Sequence, residues 1–222
     1  CKGYHLPAYV PAEHPSSALS GKLYCYGCRQ GLCGTGVFPF AHQPPVGTAG
    51  LYRKRRRLIL SIERARSWLA QFGADQRILE LEQSSATVAL AAEALGCAPE
   101  RIAKTLSFML DGNPILIVAA GDARIDNHRY KASFGSKAKM LSPDEAADLV
   151  GHAVGGVCPF GVNKGTKVYL DESLRRFETV FPACGSSNSA IQLTIPELEQ
   201  FSASCGWVDV CKDWQQNDNA GE

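Results

Sequence analysis

The stretch of sequence best suited to chemistry is Gly155-Gly156-Val157-Cys158-Pro159-Phe160-Gly161. Cys158 has the type of a nucleophile, and a nucleophilic thiol needs a base; His152 stands six residues upstream. Closeness in sequence does not fix geometry, and a small residue in a tight loop is the plainer reading of Cys158. The loop itself says more. Three glycines and a proline in seven residues impose an unusual backbone path, whose amide and carbonyl groups can hold a small substrate or a water. A second set, Cys25-x-x-Cys28 with Cys33 and His42, has ligand types suited to tetrahedral zinc. The second half of a zinc ribbon is missing, so an unstructured leader is the alternative. Cys97, Cys184, Cys205 and Cys211 are scattered and read, like Cys158, as small buried hydrophobes. The sequence has no G-x-x-x-x-G-K-[ST], no strand-bound G-x-G-x-x-G, no H-E-x-x-H and no G-x-S-x-G. Nucleotide hydrolysis, dinucleotide binding and the common metallo- and serine-hydrolase sites therefore lack their usual support, and no cofactor is expected.

The elements that must position these residues begin near residue 60. Before it, residues 1–59 hold six prolines, eight glycines and eight Lys or Arg against the single acid Glu13. They show no helical or strand period and read as an irregular basic leader of charge +7. The remainder carries −6. From Ser61, a plausible N-cap, Ile62, Ala65, Leu69 and Phe72 share a helical face closed by Gly73. Thr87 opens a second helix that Gly96 stops, and Pro99 starts a short turn. Strands are expected at 105–110 and 115–120 around the hairpin signal Asp111-Gly112. Asp126 caps a helix running to Gly135, and Ser142 with Glu145 forms a capping box for a helix through Val150. Further strands are read at 167–170, 179–181 and 190–193, before a last helix from Thr194 and Pro196. Such a mixture predicts a compact α+β domain rather than a doubly wound sheet. Hydrophobic residues at 45% and charged residues at 20% exclude collagen-like, coiled-coil and wholly disordered classes. No apolar run reaches the ~18 residues of a membrane span, and no signal peptide is seen, so a cytoplasmic protein without membrane partners is expected.

Three segments in order, Pro99-Glu100-Arg101-Ile102-Ala103-Lys104-Thr105-Leu106, the Gly155 to Gly161 loop, and Gly185-Ser186-Ser187-Asn188-Ser189-Ala190, resemble the YbaK/ProX family of aminoacyl-tRNA deacylases, free-standing relatives of the prolyl-tRNA synthetase editing domain. The chain looks more like the EbsC-type members than like YbaK itself. The resemblance covers about 60–212, leaves 213–222 as a flexible tail, and implies a mixed, curved sheet or partial barrel flanked by helices. It also implies hydrolysis of the ester that joins a wrong amino acid to the 3′-terminal adenosine of a tRNA. Lys104 matches the family's functional lysine, at the end of a short helix, and would hold the tRNA 3′ end. Gly155 matches the first glycine of the G-x-x-x-P loop, which would position water or the carbonyl. Gly156, Cys158, Pro159, Phe160, Gly161, Gly185, Ser186, Ser187 and Asn188 are the candidate substrate-binding residues, with no metal. Where YbaK has a serine and an aspartate near its late glycine loop, Ala183 and Ala190 stand here, so its amino-acid preference does not carry over.

The implied partners are the acceptor end of an aminoacyl-tRNA and an aminoacyl-tRNA synthetase. With a charge of −6, either Arg124, Arg129, Lys131, Lys137, Lys139, Lys164 and Lys167 gather at the cleft, or only the acceptor end is touched. The run Arg53 to Arg57 reads as a solvated linker, with tRNA contact as its alternative. Leu60-Ser61-Ile62-Glu63 stands where similar proteins begin Met-Ser-Ile-Glu, so residues 1–59 are expected to be an upstream extension. A non-catalytic tRNA- or synthetase-binding module of the same fold is the competing function.

Overall fold

A computed structural model of the chain describes residues 61–81, 87–153 and 155–215. The zinc-type set at 25–42, the basic run 53–57 and the proposed start at Leu60 lie outside the described residues. Helix α1 covers 61–70. It is followed by a 3-10 turn (Asp75–Arg77), β1 (Leu79–Glu80), α2 (Val88–Leu95), a second 3-10 turn (Pro99–Arg101), β2 (Ile102–Leu110) and β3 (Asn113–Ala120). Then come β4 (Arg124–Ile125), α3 (Asn127–Phe134), and α4 (Pro143–Glu145), which runs on through a wider turn at Ala146–Val150. The chain continues with β5 (Lys167–Asp171), β6 (Thr179–Pro182), β7 (Ser189–Ala190), β8 (Leu193–Thr194), α5 (Ile195–Phe201), β9 (Trp207–Val208) and β10 (Cys211–Lys212).

Local chemistry explains most boundaries. The Thr87 side chain accepts from Leu90 N–H to start α2, which Gly96 ends in the left-handed region. Asp126 accepts from the amides of His128 and Arg129 at the head of α3. Reciprocal capping boxes, Ser142 with Glu145 and Thr194 with Glu197, begin α4 and α5. Asp111 and Gly112 take φ of 48° and 78°, the tight hairpin turn that their types favour.

Six strands form one curled, half-barrel sheet in the order β8-β6-β2-β3-β5-β9. Its centre is the antiparallel β2–β3 pair, while β2–β6, β3–β5 and β5–β9 run parallel. β3 explains its own sequence: from Leu116 to Ala120 every residue has no exposed surface, so both faces are covered and the strand reads as a continuous apolar run. Each large side chain so buried stabilises the fold by roughly 1.5–3 kcal/mol. Helix α3 packs Tyr130 against Phe108 and Phe134, and Phe134 meets Tyr169 edge-on. Helix α1 buries Ala65 and Leu69, and its Trp68 donates to the Phe201 carbonyl at 2.6 Å.

Four expectations shift. Ser61 lies inside the helical span, fully buried, and its hydroxyl meets His152 instead of capping. The strand read at 190–193 is two strands with different partners, because β7 pairs with β1 and β8 with β6. β2 begins at Ile102, three residues early, because Ile102 and Ala103 pair with Phe181 and Pro182. Lys104 therefore sits within a strand, not at the end of a helix. Beyond residue 212 the chain is still anchored: the Trp214 indole donates to the Cys211 carbonyl, and Arg176 donates to the Trp214 carbonyl.

Candidate active site

β2 carries Lys104 opposite Ala119 of β3. Its ammonium donates to the Gly121 carbonyl at 3.0 Å. That carbonyl belongs to a turn held from several sides. Gly121 N–H donates to Glu100 O, and Asp122 receives both guanidinium nitrogens of Arg176 at 2.6 and 3.0 Å. A Cβ on Gly121 would lie 2.0 Å from the Pro99 carbonyl oxygen, so only glycine allows the approach. Burial pulls the Lys104 pKa below the usual lysine value, against the opposing pull of nearby acidic groups that include Asp122 and Asp171.

Lys104 opens onto a cavity of about 370 Å³. Among the described residues it is the only charged side chain in the lining. Gly155, exposed and with φ of 92°, forms part of the wall. Gly156 turns away and lets two loops touch backbone to backbone: a Cβ there would lie 2.5 Å from the carbonyl of Gly185. Gly185 is pressed in turn against Ser61 of α1. Ser186 and Ser187 line the cavity, as does Ser189. Ser186 Oγ sits 2.8 Å from Ser189 Oγ and 2.9 Å from Asn188 Oδ1. Asn188 itself is tied to Leu81 by two bonds and takes no part in the lining.

After Val157 the glycine-rich loop turns inward. Cys158, Pro159 and Phe160 are buried and Gly161 fits against the Arg64 backbone; none of the four lines the cavity. Cys158 Sγ does lie 3.7 Å from His152 Nε2. Yet Nε2 is 2.8 Å from the Phe160 carbonyl, which can only accept, so this nitrogen carries the proton and cannot take one from the thiol. Nδ1 then accepts from Ser61 Oγ at 2.7 Å. Burial lowers the His152 pKa to about 4 and raises that of Cys158 to about 12. The pair is neutral and fully buried, a structural tie between α1 and the loop.

Thus the structure brings Lys104, Gly155, Ser186 and Ser187 together, and leaves Gly156, Cys158, Pro159, Phe160, Gly161, Gly185 and Asn188 behind the wall. None of Arg124, Arg129, Lys131, Lys137, Lys139, Lys164 and Lys167 is in the lining. Sequence reasoning missed the apolar wall of Val88, Ala91, Leu95, Phe181, Met140 and Leu141. The stripe on α2 was legible, but a stripe marks an apolar face without saying whether core or cavity lies across from it. Ala183 and Ala190 bridge each other and offer the cavity only methyl groups. Among the described residues no group of three or more His, Cys, Asp or Glu could hold a metal, and no helix there is long and apolar enough to cross a membrane.

Residues 82–201 match the aminoacyl-tRNA editing domain family. The chain belongs to that family. Uncharacterized protein YwhH of Bacillus subtilis strain 168 is 55% identical over 157 residues, which are 70% of this chain and the whole of that protein. The proline–tRNA ligase of Halalkalibacterium halodurans is 29% identical over 120 residues, 52% of this chain and 21% of that enzyme, so the chain spans about a fifth of the ligase. A solved structure of a candidate trans-editing enzyme for prolyl-tRNA synthetase superposes with a TM-score of 0.63 at 29% identity, over 68% of this chain and 97% of that one. The editing domain thus occupies the part of the chain that holds the cavity, as the YbaK/ProX resemblance implies.

Proposed function

We propose that this editing domain is a trans-editing hydrolase that cleaves the ester of mischarged aminoacyl-tRNA. The observation that carries the reading is a half-buried ammonium, Lys104, opening with the Gly155 backbone onto a cavity that is otherwise uncharged among the described residues. An aminoacyl ester is already activated, so no nucleophilic side chain is needed; placing the ends of the substrate and a water supplies the catalysis. Lys104 holds the phosphate or ribose of the terminal nucleotide, where a charge-assisted bond is strong. The Gly155 loop positions the water, and Ser186 and Ser187 border the amino-acid side chain. Water oxygen bonds to the carbonyl carbon and the bond to the ribose oxygen breaks. That oxygen leaves as a hydroxyl, the amino acid as a carboxylate, with one proton released to solvent. Because none of Arg124, Arg129, Lys131, Lys137, Lys139, Lys164 and Lys167 lines the cavity, the domain grips the acceptor end rather than the tRNA body, and a synthetase is a natural source of further affinity.

The test is single-turnover hydrolysis of Ala-tRNA(Pro), Cys-tRNA(Pro), Ser-tRNA and Thr-tRNA by the full chain and by Lys104→Ala. Lysine-dependent release of any amino acid is expected. Binding of tRNA without turnover on the whole panel would replace the hydrolase by a regulatory module.

A further inference from the structure

β2 is paired along the whole of one edge and only at the ends of the other. On the first edge β3 accompanies it from Ala103 to Leu110. On the second, β6 meets it at Ile102 and Ala103, and residues 139–141 take over further along: Met109 N–H donates to Lys139 O at 2.8 Å and Leu141 N–H to Ser107 O at 3.0 Å. These two bonds set the sense of the strand. The amide of 109 and the carbonyl of 107 point to the second edge, and since backbone direction repeats every two residues, so do the N–H and C=O of Thr105. Thr105 lies in the gap. Among the described residues, no backbone bond from β6 or from 139–141 reaches it. Its buried hydroxyl has no hydrogen-bond partner either. The gap is the cavity: Ala183, just past β6, and Met140 and Leu141 on the far side all line it, together with Thr105 and Ser107.

We propose that the aminoacyl group of the substrate fills this gap as a missing rung of the sheet, its α-ammonium donating to the Thr105 carbonyl and its ester carbonyl accepting from the Thr105 N–H. The inference rests on the editing reading and adds to it a recognition element for the one part common to all aminoacyl esters. In extended form such an ester presents a donor nitrogen and a carbonyl oxygen on one edge. Two residues of a closely bonded antiparallel pair exchange both bonds in this way. No carboxylate lines the cavity among the described residues, so the ammonium meets no ion-pair partner there, and the Thr105 carbonyl is the acceptor that faces the gap along the strand edge. The Thr105 N–H has a second consequence. As water adds, the ester carbonyl oxygen gains negative charge, and a fixed donor aimed at it stabilises that charge. The carbonyl is then held by Thr105, the water by the Gly155 loop and the nucleotide by Lys104.

Replacing Thr105 by its α-hydroxy acid analogue through nonsense suppression deletes this N–H and keeps the side chain. Single-turnover deacylation of alanyl-tRNA, the smallest chiral substrate, is expected to fall about 10²- to 10³-fold, with circular dichroism and thermal midpoint unchanged. A binding readout stands beside it. The non-hydrolysable 3′-deoxy-3′-(alanylamino)adenosine should shift the Thr105 amide resonance, and the lactylamino counterpart, which lacks the ammonium, should bind more than about tenfold more weakly. An active wild type with an undiminished rate after N–H deletion overturns the proposal, as does analogue binding that leaves the Thr105 amide unmoved. An inactive wild type whose Thr105 amide still responds to the alanyl analogue removes the hydrolase reading and upholds the rung.

Discussion

The cavity at Lys104 and the buried cluster at His152 and Cys158 lie on two sides of one loop, with Gly155 in the cavity wall and Cys158 fully enclosed three residues later. By residue type the second region looks the more reactive, since a thiol within 3.7 Å of an imidazole is the usual outline of a nucleophile and base. Its environment cancels that. Burial favours the neutral forms of both groups, the imidazole proton is committed to the Phe160 carbonyl, and neither side chain has exposed surface. The first region has a plain lysine and bare backbone, yet these meet open space. Access and the ability to carry charge separate a site from a core, and residue type alone does not.

The comparison can be broken most directly by exchanging the two candidates. Lys104→Ala should lower single-turnover deacylation about 10²- to 10³-fold, a loss of roughly 3–4 kcal/mol of transition-state stabilisation, whereas Cys158→Ala should leave the rate within about twofold. A Cys158→Ala rate loss matching that of Lys104→Ala would move the chemistry into the buried cluster. The pH dependence of stability sharpens the contrast. His152 titrates near 4 in the fold against 6.5 when unfolded. The unfolded chain therefore binds the proton first as pH falls. The contribution of the neutral imidazole is complete above 6.5 and lost between 6.5 and about 4. It amounts to roughly 3 kcal/mol. Urea midpoints from pH 7 to 4 should fall for the wild type and less steeply for His152→Gln. For stability at neutral pH, Cys158→Ala should cost about 1 kcal/mol, the price of a small void, read from the same urea curves. Smallest is the effect of salt on the cavity: if Lys104 is the cavity's one phosphate contact, Lys104→Ala should reduce the slope of log affinity against log salt for a single-stranded acceptor oligonucleotide by about 0.7. An unchanged slope would show that the lysine faces the ribose.

Much of the fold was legible because its signals are local. Caps and turn residues act on backbone groups within a few positions, so Thr87, Asp126, Ser142 and Thr194 marked helix starts and Asp111-Gly112 marked the hairpin without reference to the rest of the chain. Lys104, the Gly155 loop and the Gly185 loop were legible as well, through the order of three motifs. The short pairs β1–β7 and β4–β10 and the break at 191–192 were not, because two-residue strands exist only where a distant partner offers an edge.

The sequence by itself determined where most elements start and stop, that the fold mixes helical with hairpin connections, and which three segments carry the family resemblance. Only the tertiary structure decided that Gly155 faces the cavity while Cys158 faces the core, that α2 lends its apolar stripe to the cavity wall, and that β2 passes its partners so as to leave the second edge of Thr105 unpaired. The physical reason is range. Caps and turns are settled between near neighbours in the chain, whereas burial, pKa and a free strand edge depend on which distant segments arrive, and leave no mark on the residue that receives them.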